Sequence, residues 1–160
     1  MVVYVIAGLV LLVLLFMAYR VLGRPATPVQ HPVTLLRSVV DAARDVTADL
    51  TSLERGPVLD APAAAEQLRR LRRSLDGCAQ GLDRLDSAAL DAPLADAHRL
   101  LAQAVEELVW NARMAASPSA NRGGLQTAAM ALLESASGAL SEAARLLAAE
   151  TAAEEAHSPG

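Results

Sequence analysis

The segment LRRLRRSLDGCAQGL, residues 68–82, predicts the fold of this protein. Its apolar residues recur at alternating steps of three and four, which places them in one stripe along a helix. The stripe contains Leu68, Leu71, Leu75, Cys78 and Leu82, and it continues to Leu85. A helix of this length is marginal by itself, so other helices have to cover the stripe.

Three further segments carry comparable stripes. The last of these stripes ends at Glu150, a charged residue on the same face. Their apolar positions are Leu36, Val39, Ala43, Val46, Leu50 and Leu53, then Leu94, Ala97, Leu101, Val105, Leu108 and Ala112, and finally Leu125, Ala128, Ala129, Leu132, Ala136, Ala139, Ala143, Leu146 and Leu147. Turn signals separate the four segments. These signals are Arg55-Gly56-Pro57, the helix starts Asp60-Ala61-Pro62 and Asp91-Ala92-Pro93, Ser117-Pro118, and Gly123-Gly124.

The four stripes predict an all-α fold. Matched helices joined by short turns favour an antiparallel up-down-up-down four-helix bundle over residues 33–150. The alternative is a coiled-coil-like helical domain in which some stripes close only against a second copy of the chain. With 2% aromatic residues, an all-β sandwich or barrel is excluded.

A different kind of helix precedes the bundle. Residues 1–19 carry no charged side chain and would span about 28 Å as a helix, close to the hydrocarbon thickness of a bilayer. Tyr4 and Tyr19 lie near its ends, and Arg20 and Arg24 follow at once, as interfacial anchors do. We therefore predict one N-terminal transmembrane anchor helix over residues 1–22, in contact with the lipid bilayer.

The flanking charges predict the orientation of this anchor. The nearest arginines after the apolar segment are Arg20, Arg24, Arg37 and Arg44, and none precedes it, so the positive-inside rule places the N-terminus outside and the helical domain in the cytoplasm of a bacterial plasma membrane. The alternative is a cleaved signal peptide with its site at Val21-Leu22-Gly23. Residues 23–32 are a Pro-rich linker, and residues 151–160 are predicted to be an acidic, flexible tail.

Composition excludes several classes of protein. From Pro25 onward the chain carries twelve arginines against eighteen acids, the opposite of the charge that a duplex-binding protein needs, so we expect no nucleic-acid partner. The single cysteine, Cys78, excludes an intramolecular disulfide. Because Cys78 belongs to an apolar stripe, we interpret it as a small buried hydrophobe, with a reactive or lipidated thiol as the alternative.

No pattern of catalytic or metal-ligating residues stands out. None of the three histidines is placed by pattern beside a nucleophile, and Gly123-Gly124 lacks the lysine and the preceding strand of a phosphate loop. The Glu154-x-x-His157 spacing of di-iron bundles occurs once, without the other ligands such a site needs. We therefore expect a protein that is not an enzyme, with no cofactor, no metal and no small-molecule substrate.

Two surface features are candidates for contact with a partner. Arg69, Arg70, Arg72 and Arg73 surround the core residue Leu71; they form either a solvated face neutralised by Asp76 and other acids, or a docking patch for an acidic partner. Trp110 lies about 200° around its helix from Leu108, on the polar face. It is either an exposed contact residue or a side chain that lies flat over arginine stems or under the turn at 117–124.

These expectations favour a non-enzymatic interaction module, an adaptor, scaffold or accessory subunit of a membrane complex, which binds another protein. Self-association is the other partner prediction. The alternatives are a small oligomerising membrane-active protein, such as a phage lysis accessory, and a signalling bundle without its own output domain. We predict that the Arg69–Arg73 run and Trp110 lie at similar heights, in the half of the bundle remote from the bilayer.

Overall fold

A computed structural model describes residues 31–55, 61–116 and 122–157, and it confirms the all-α prediction for these residues. Four α-helices follow one another: α1 (Pro32–Arg55), α2 (Ala61–Asp83), α3 (Ala92–Ala115) and α4 (Arg122–His157). A single 3₁₀ turn, Ser87–Ala89, connects α2 to α3. The predicted anchor (1–22) and the predicted linker up to Gln30 lie outside the described residues.

The starts of α1 and α3 follow directly from local sequence. α1 begins at Pro32, whose fixed φ suits the first turn of a helix, and the His31 carbonyl oxygen accepts hydrogen bonds from the Thr34 and Leu35 amides at 2.9 and 3.2 Å. α3 follows the predicted cap at Asp91, whose carboxylate accepts a hydrogen bond from the Leu94 amide at 3.1 Å.

The apolar stripes of α1, α2 and α3 are buried almost as the sequence predicts. Every predicted position of α1, α2 and α3 is buried except Leu53 and Leu85, which are half-buried and pack against the core. The structure adds Val33 and Val40 in α1 and Ala104 in α3. The buried residues form one cluster, so the core closes within a single chain.

The face that α4 buries differs from the predicted one. Leu133 and Leu140 are buried, whereas Ala128 is exposed and Leu125, Leu132 and Leu146 are only half-buried. Alanine occurs on most sides of this helix, so its apolar pattern does not single out one face. The position of α4 against its neighbours therefore determines which leucines are buried.

α4 is also longer than predicted and ends at His157 instead of Glu150. The additional turns include seven of the ten residues that the sequence assigned to a flexible tail. The first of these residues contacts α1, since the Arg37 guanidinium donates a hydrogen bond to the Thr151 hydroxyl. The exposed alanines that follow it continue the helix.

Contacts between the helices define their directions. The end of α2 meets the start of α3 at Leu82 and His98, the start of α1 meets the end of α4 at Arg37 and Thr151, and Glu54 meets Asn111 near the ends of α1 and α3. Helices adjacent in sequence are therefore antiparallel, and α1 is parallel to α3.

The packing is asymmetric across the bundle. α1 and α3 each contact all three other helices, including each other, whereas α2 and α4 are not in contact within the described residues. The most extensive contact joins α3 to α4. α1 and α3 therefore occupy the short diagonal of the bundle, and α2 and α4 lie on opposite sides of that pair.

Among the helices of residues 31–55, 61–116 and 122–157, none combines the length and the hydropathy that a membrane span needs. The predicted transmembrane helix thus receives no support from this part of the chain.

The two glycines of α2 that have small-residue spacing are in different environments. A Cβ built on Gly81 would lie 3.4 Å from Val39 Cγ2 and 3.9 Å from Leu35 Cδ2, so Gly81 is in close contact with α1. A Cβ on Gly77, or on Gly138 in α4, meets no atom within 4 Å. Only Gly81 therefore has a packing role.

We expect Gly77→Ala and Gly138→Ala each to raise the free energy of unfolding by about 0.5–1 kcal/mol, because alanine restricts the unfolded chain and costs nothing here. Gly81→Ala should gain less, since its new methyl group presses on Val39. Urea unfolding of the full chain in detergent, followed by helical circular dichroism, measures the difference. An equal gain from Gly81→Ala would contradict the close contact between α1 and α2.

Candidate functional site

Trp110 lies on the outer ridge of α3, as the sequence predicted. It is 51% exposed and is the one large apolar side chain exposed among the described residues. The guanidinium carbon of Arg113 lies 5.1 Å from the centre of its ring, within the range of a cation–π contact. The ring is therefore in contact with an arginine and remains half open to solvent.

The four arginines of α2 are not equivalent. Glu66, one turn earlier, pairs with Arg69 at 2.8 Å and with Arg73 at 3.7 Å. Arg70 and Arg72 are exposed, and neither forms an ion pair with any residue in the described ranges. The acid that pairs with the run is thus Glu66 rather than the predicted Asp76, and it contacts two of the four arginines.

Arg70 and Arg72 lie on opposite edges of α2. Gly81 marks the edge that borders α1, and at about 100° per residue Arg70 is within about 20° of it. Arg72 is about 180° from Gly81 around the same helix. Because the buried stripe of α2 faces α1 and α3 together, the edge of Arg72 borders α3.

Arg72 and Trp110 also lie at similar heights along the bundle. His98 Nε2 is 3.2 Å from the Leu82 carbonyl oxygen, so these two residues are level. Because α2 and α3 are antiparallel, the residue ten positions before Leu82 is level with the residue ten positions after His98. These residues are Arg72 and Leu108. Trp110 is roughly 3 Å further along its helix at about 1.5 Å per residue.

Arg113 lies between Trp110 and α2. His98 marks the side of α3 that faces α2; Arg113 is about 60° from it and Trp110 about 120°. On the opposite side, the Glu107 carboxylate accepts a hydrogen bond from the Ser135 hydroxyl of α4 at 2.9 Å. We define Arg72, Trp110 and Arg113 as the Trp110 surface.

A buried polar contact lies behind this surface and was missed by the sequence analysis. Asn111 is 0% exposed, and its amide nitrogen donates to Glu54 Oε1 at 3.1 Å and to the Ala129 carbonyl oxygen at 2.8 Å. One side chain therefore ties α3 to α1 and to α4. Its position three residues after Leu108 was the only sequence signal that it would face the core.

Three buried oxygens near this contact accept no hydrogen bond: Asn111 Oδ1, Glu54 Oε2 and Glu107 Oε2. Glu107 Oε1, by contrast, accepts from the Gln103 amide at 3.0 Å as well as from Ser135. This end of the core is therefore the part that contains polar side chains from α1 and α3.

A shallow groove of about 510 Å³ lies between α1 and α4, lined by Arg44, Thr47, Ala48, Thr51, Ser52, Ser137, Leu140 and Ser141. Three of its hydroxyls donate to carbonyl oxygens of their own helices, all at 2.8 Å: Thr47 to Ala43, Thr51 to Thr47 and Ser141 to Ser137. The hydrogens of these three hydroxyl groups are therefore not available to a ligand. The groove results from the short side chains between the two helices.

The other residues considered from sequence have structural environments. Cys78 is buried, as predicted, and burial raises the pKa of its thiol, which disfavours the reactive thiolate. Within the described ranges, no group of three or more His, Cys, Asp or Glu side chains could hold a metal ion. Tyr4, Tyr19, Arg20 and Arg24, predicted as membrane-interface anchors, lie outside the described residues.

Comparison of this chain with protein families, with curated proteins and with solved structures finds no match. Function is therefore argued from the Trp110 surface and the packing behind it.

We expect Asn111→Ala to lower the free energy of unfolding by about 1–3 kcal/mol, because it leaves the Ala129 carbonyl and Glu54 without their buried donor. Gln103→Ala is the matched control: it removes an amide hydrogen bond to Glu107 from an exposed position and should change stability by less than about 0.5 kcal/mol. Urea unfolding of both variants makes the comparison. Equal losses would show that Asn111 does not join the helices as described.

Proposed function

We propose that this protein is a single-pass membrane protein whose helical bundle is a non-enzymatic interaction module, an adaptor, scaffold or accessory subunit that binds another protein. One observation carries the proposal: among the residues that the structure describes, Trp110 is the one large apolar side chain that is exposed, and it lies on the outside of the bundle. Tryptophan and arginine are the residues that most often dominate the energy of protein interfaces.

The closed core supports a partner other than a second copy. Buried apolar residues from all four helices form one core within a single chain, so association with another copy is not needed to complete the fold. A coiled-coil dimer would instead leave stripes uncovered in the single chain. The surface available for binding is therefore the polar exterior, where Trp110 and the arginines of α2 stand out.

Membrane anchoring is proposed from the sequence of residues 1–22 alone. If these residues form the anchor, chain connectivity attaches it at the end of the bundle where α1 begins. α3 begins at the same end, and Trp110 lies about 27 Å further along α3 at about 1.5 Å per residue. The bundle is proposed to lie in the bacterial cytoplasm because of the arginines that follow the apolar segment.

We expect a C-terminal fluorescent reporter to be active and a C-terminal alkaline phosphatase to be inactive, because the arginines that follow the apolar segment retain the bundle in the cytoplasm. Replacing Arg20 and Arg24 by Gln should raise phosphatase activity, and replacing Arg99 and Arg145 by Gln should leave it unchanged. Strong phosphatase activity of the unmodified chain would contradict the orientation.

We expect the full chain to co-purify after crosslinking with one stoichiometric partner, and Trp110→Ala to lower this capture by at least about tenfold, since central interface tryptophans contribute about 2 kcal/mol or more. Changing Arg69, Arg70, Arg72 and Arg73 to Gln should lower it as well. The charge-matched control changes Arg37, Arg44, Arg99 and Arg145 to Gln.

Circular dichroism must first show that all three variants remain folded. Undiminished capture by both Trp110→Ala and the four-arginine variant would show that these residues are an ordinary solvated face. Crosslinks to other copies of the chain alone would favour an oligomeric protein instead.

A further inference from the structure

We propose that the docking site is confined to the edge between α2 and α3, at Arg72, Trp110 and Arg113, and that its occupant is an acidic segment of another protein. The inference rests on the proposed function, since it assigns the place and the chemistry of the interaction. It also assigns contact with the partner to Arg72 and not to Arg69, Arg70 or Arg73.

Ion pairs distinguish Arg69 and Arg73 from Arg70 and Arg72. Glu66 already occupies Arg69 and Arg73, so a partner carboxylate would have to compete with an existing acid for them. Arg70 and Arg72 carry no such acid within the described residues. Their charges are therefore the ones available to a partner.

Position on α2 distinguishes Arg72 from Arg70. Arg70 lies on the edge of α2 that borders α1, on the far side of the helix from Trp110. Arg72 lies on the edge that borders α3 and is nearly level with Trp110. A partner centred on Trp110 can thus reach Arg72, whereas Arg70 faces another side of the bundle.

Arg113 completes the surface through its contact with Trp110. Its guanidinium carbon lies 5.1 Å from the centre of the indole ring, and the cation is attracted to the face of that ring. Arg113 forms no ion pair with a described residue, so its N–H groups are available to a carboxylate, which a guanidinium can bind with two hydrogen bonds. Trp110 therefore offers an apolar contact and also orients a cation beside it.

Charge complementarity identifies the occupant as acidic. Arg72 and Arg113 form no ion pair with a described residue, and the nearest exposed acids, Asp76 and Glu106, lie one turn closer to the start of α3. Two unpaired cations beside Trp110 favour an acidic segment, since opposite charges across an interface select the partner and its register.

A second copy fits less well. Two copies anchored in one membrane and related by a twofold axis along the helices would bring Arg72 and Arg113 level with the same residues of the second copy, and like charges oppose that contact. An anionic bilayer surface is a separate outcome, which a lipid product in the following test would reveal.

The test is photo-crosslinking of the full chain in its native membrane. A photoreactive phenylalanine derivative replaces Glu106, one turn from Trp110, and in a second protein it replaces Glu134. Both are exposed acids, so the same charge is removed, but Glu134 lies on α4, which does not contact α2. Mass spectrometry of the crosslinked peptides identifies the partner segment.

We expect position 106 to crosslink to an acidic segment of one other protein and position 134 to give little product. Arg72→Gln should reduce the crosslink at position 106 at least about fivefold, and Arg70→Gln, the matched loss of one exposed charge, should leave it unchanged. Circular dichroism of both variants checks that the bundle remains folded.

Several results would overturn the proposal. These are equal loss of the crosslink in Arg70→Gln and Arg72→Gln, a crosslinked segment without acids, and products with lipid or with a second copy. A partner that crosslinks from position 134 and not from 106 would leave the interaction function standing and move the site elsewhere. Absence of any protein product from either position would reject the interaction function itself.

Discussion

The contact of α1 with α3 across the centre of the bundle is the constraint on which the rest of the structure depends. Because these two helices are adjacent, α3 touches all three other helices and exposes only a narrow ridge. Trp110 lies on that ridge with Arg113 beside it. The same arrangement separates α2 from α4, so the exposed charges of these two helices belong to different sides of the molecule.

Asn111 is the polar part of that contact. Hydrogen bonds from one amide to α1 and to α4 favour a single relative position of three helices, in the way that a buried asparagine sets the register of a coiled coil. The core near Trp110 is thus specified by hydrogen bonds, whereas the remainder is held by apolar side chains.

The stripes of α1, α2 and α3 could be predicted because Leu and Val recur on one side of each helix and polar residues occupy the other. α4 could not, since alanine lies on nearly all its sides and Leu132 and Leu133 are equally apolar. Trp110 could be placed on a polar face from spacing alone. Whether Arg72 and Trp110 share an edge required the rotation of two helices, which depends on how their side chains interlock.

The sequence by itself determined the all-α class, the helix start at Asp91, the burial of Cys78 and the position of Trp110 on a polar face, because each depends on residues within a few turns of one helix. Only the tertiary structure decided which face of α4 is buried, how far α4 extends, that Asn111 lies in the core, and which arginines are already paired. Each of these features depends on the position of a neighbouring helix or on the conformation that a side chain adopts after the helices have packed. The spacing of apolar residues along one helix gives no information about either.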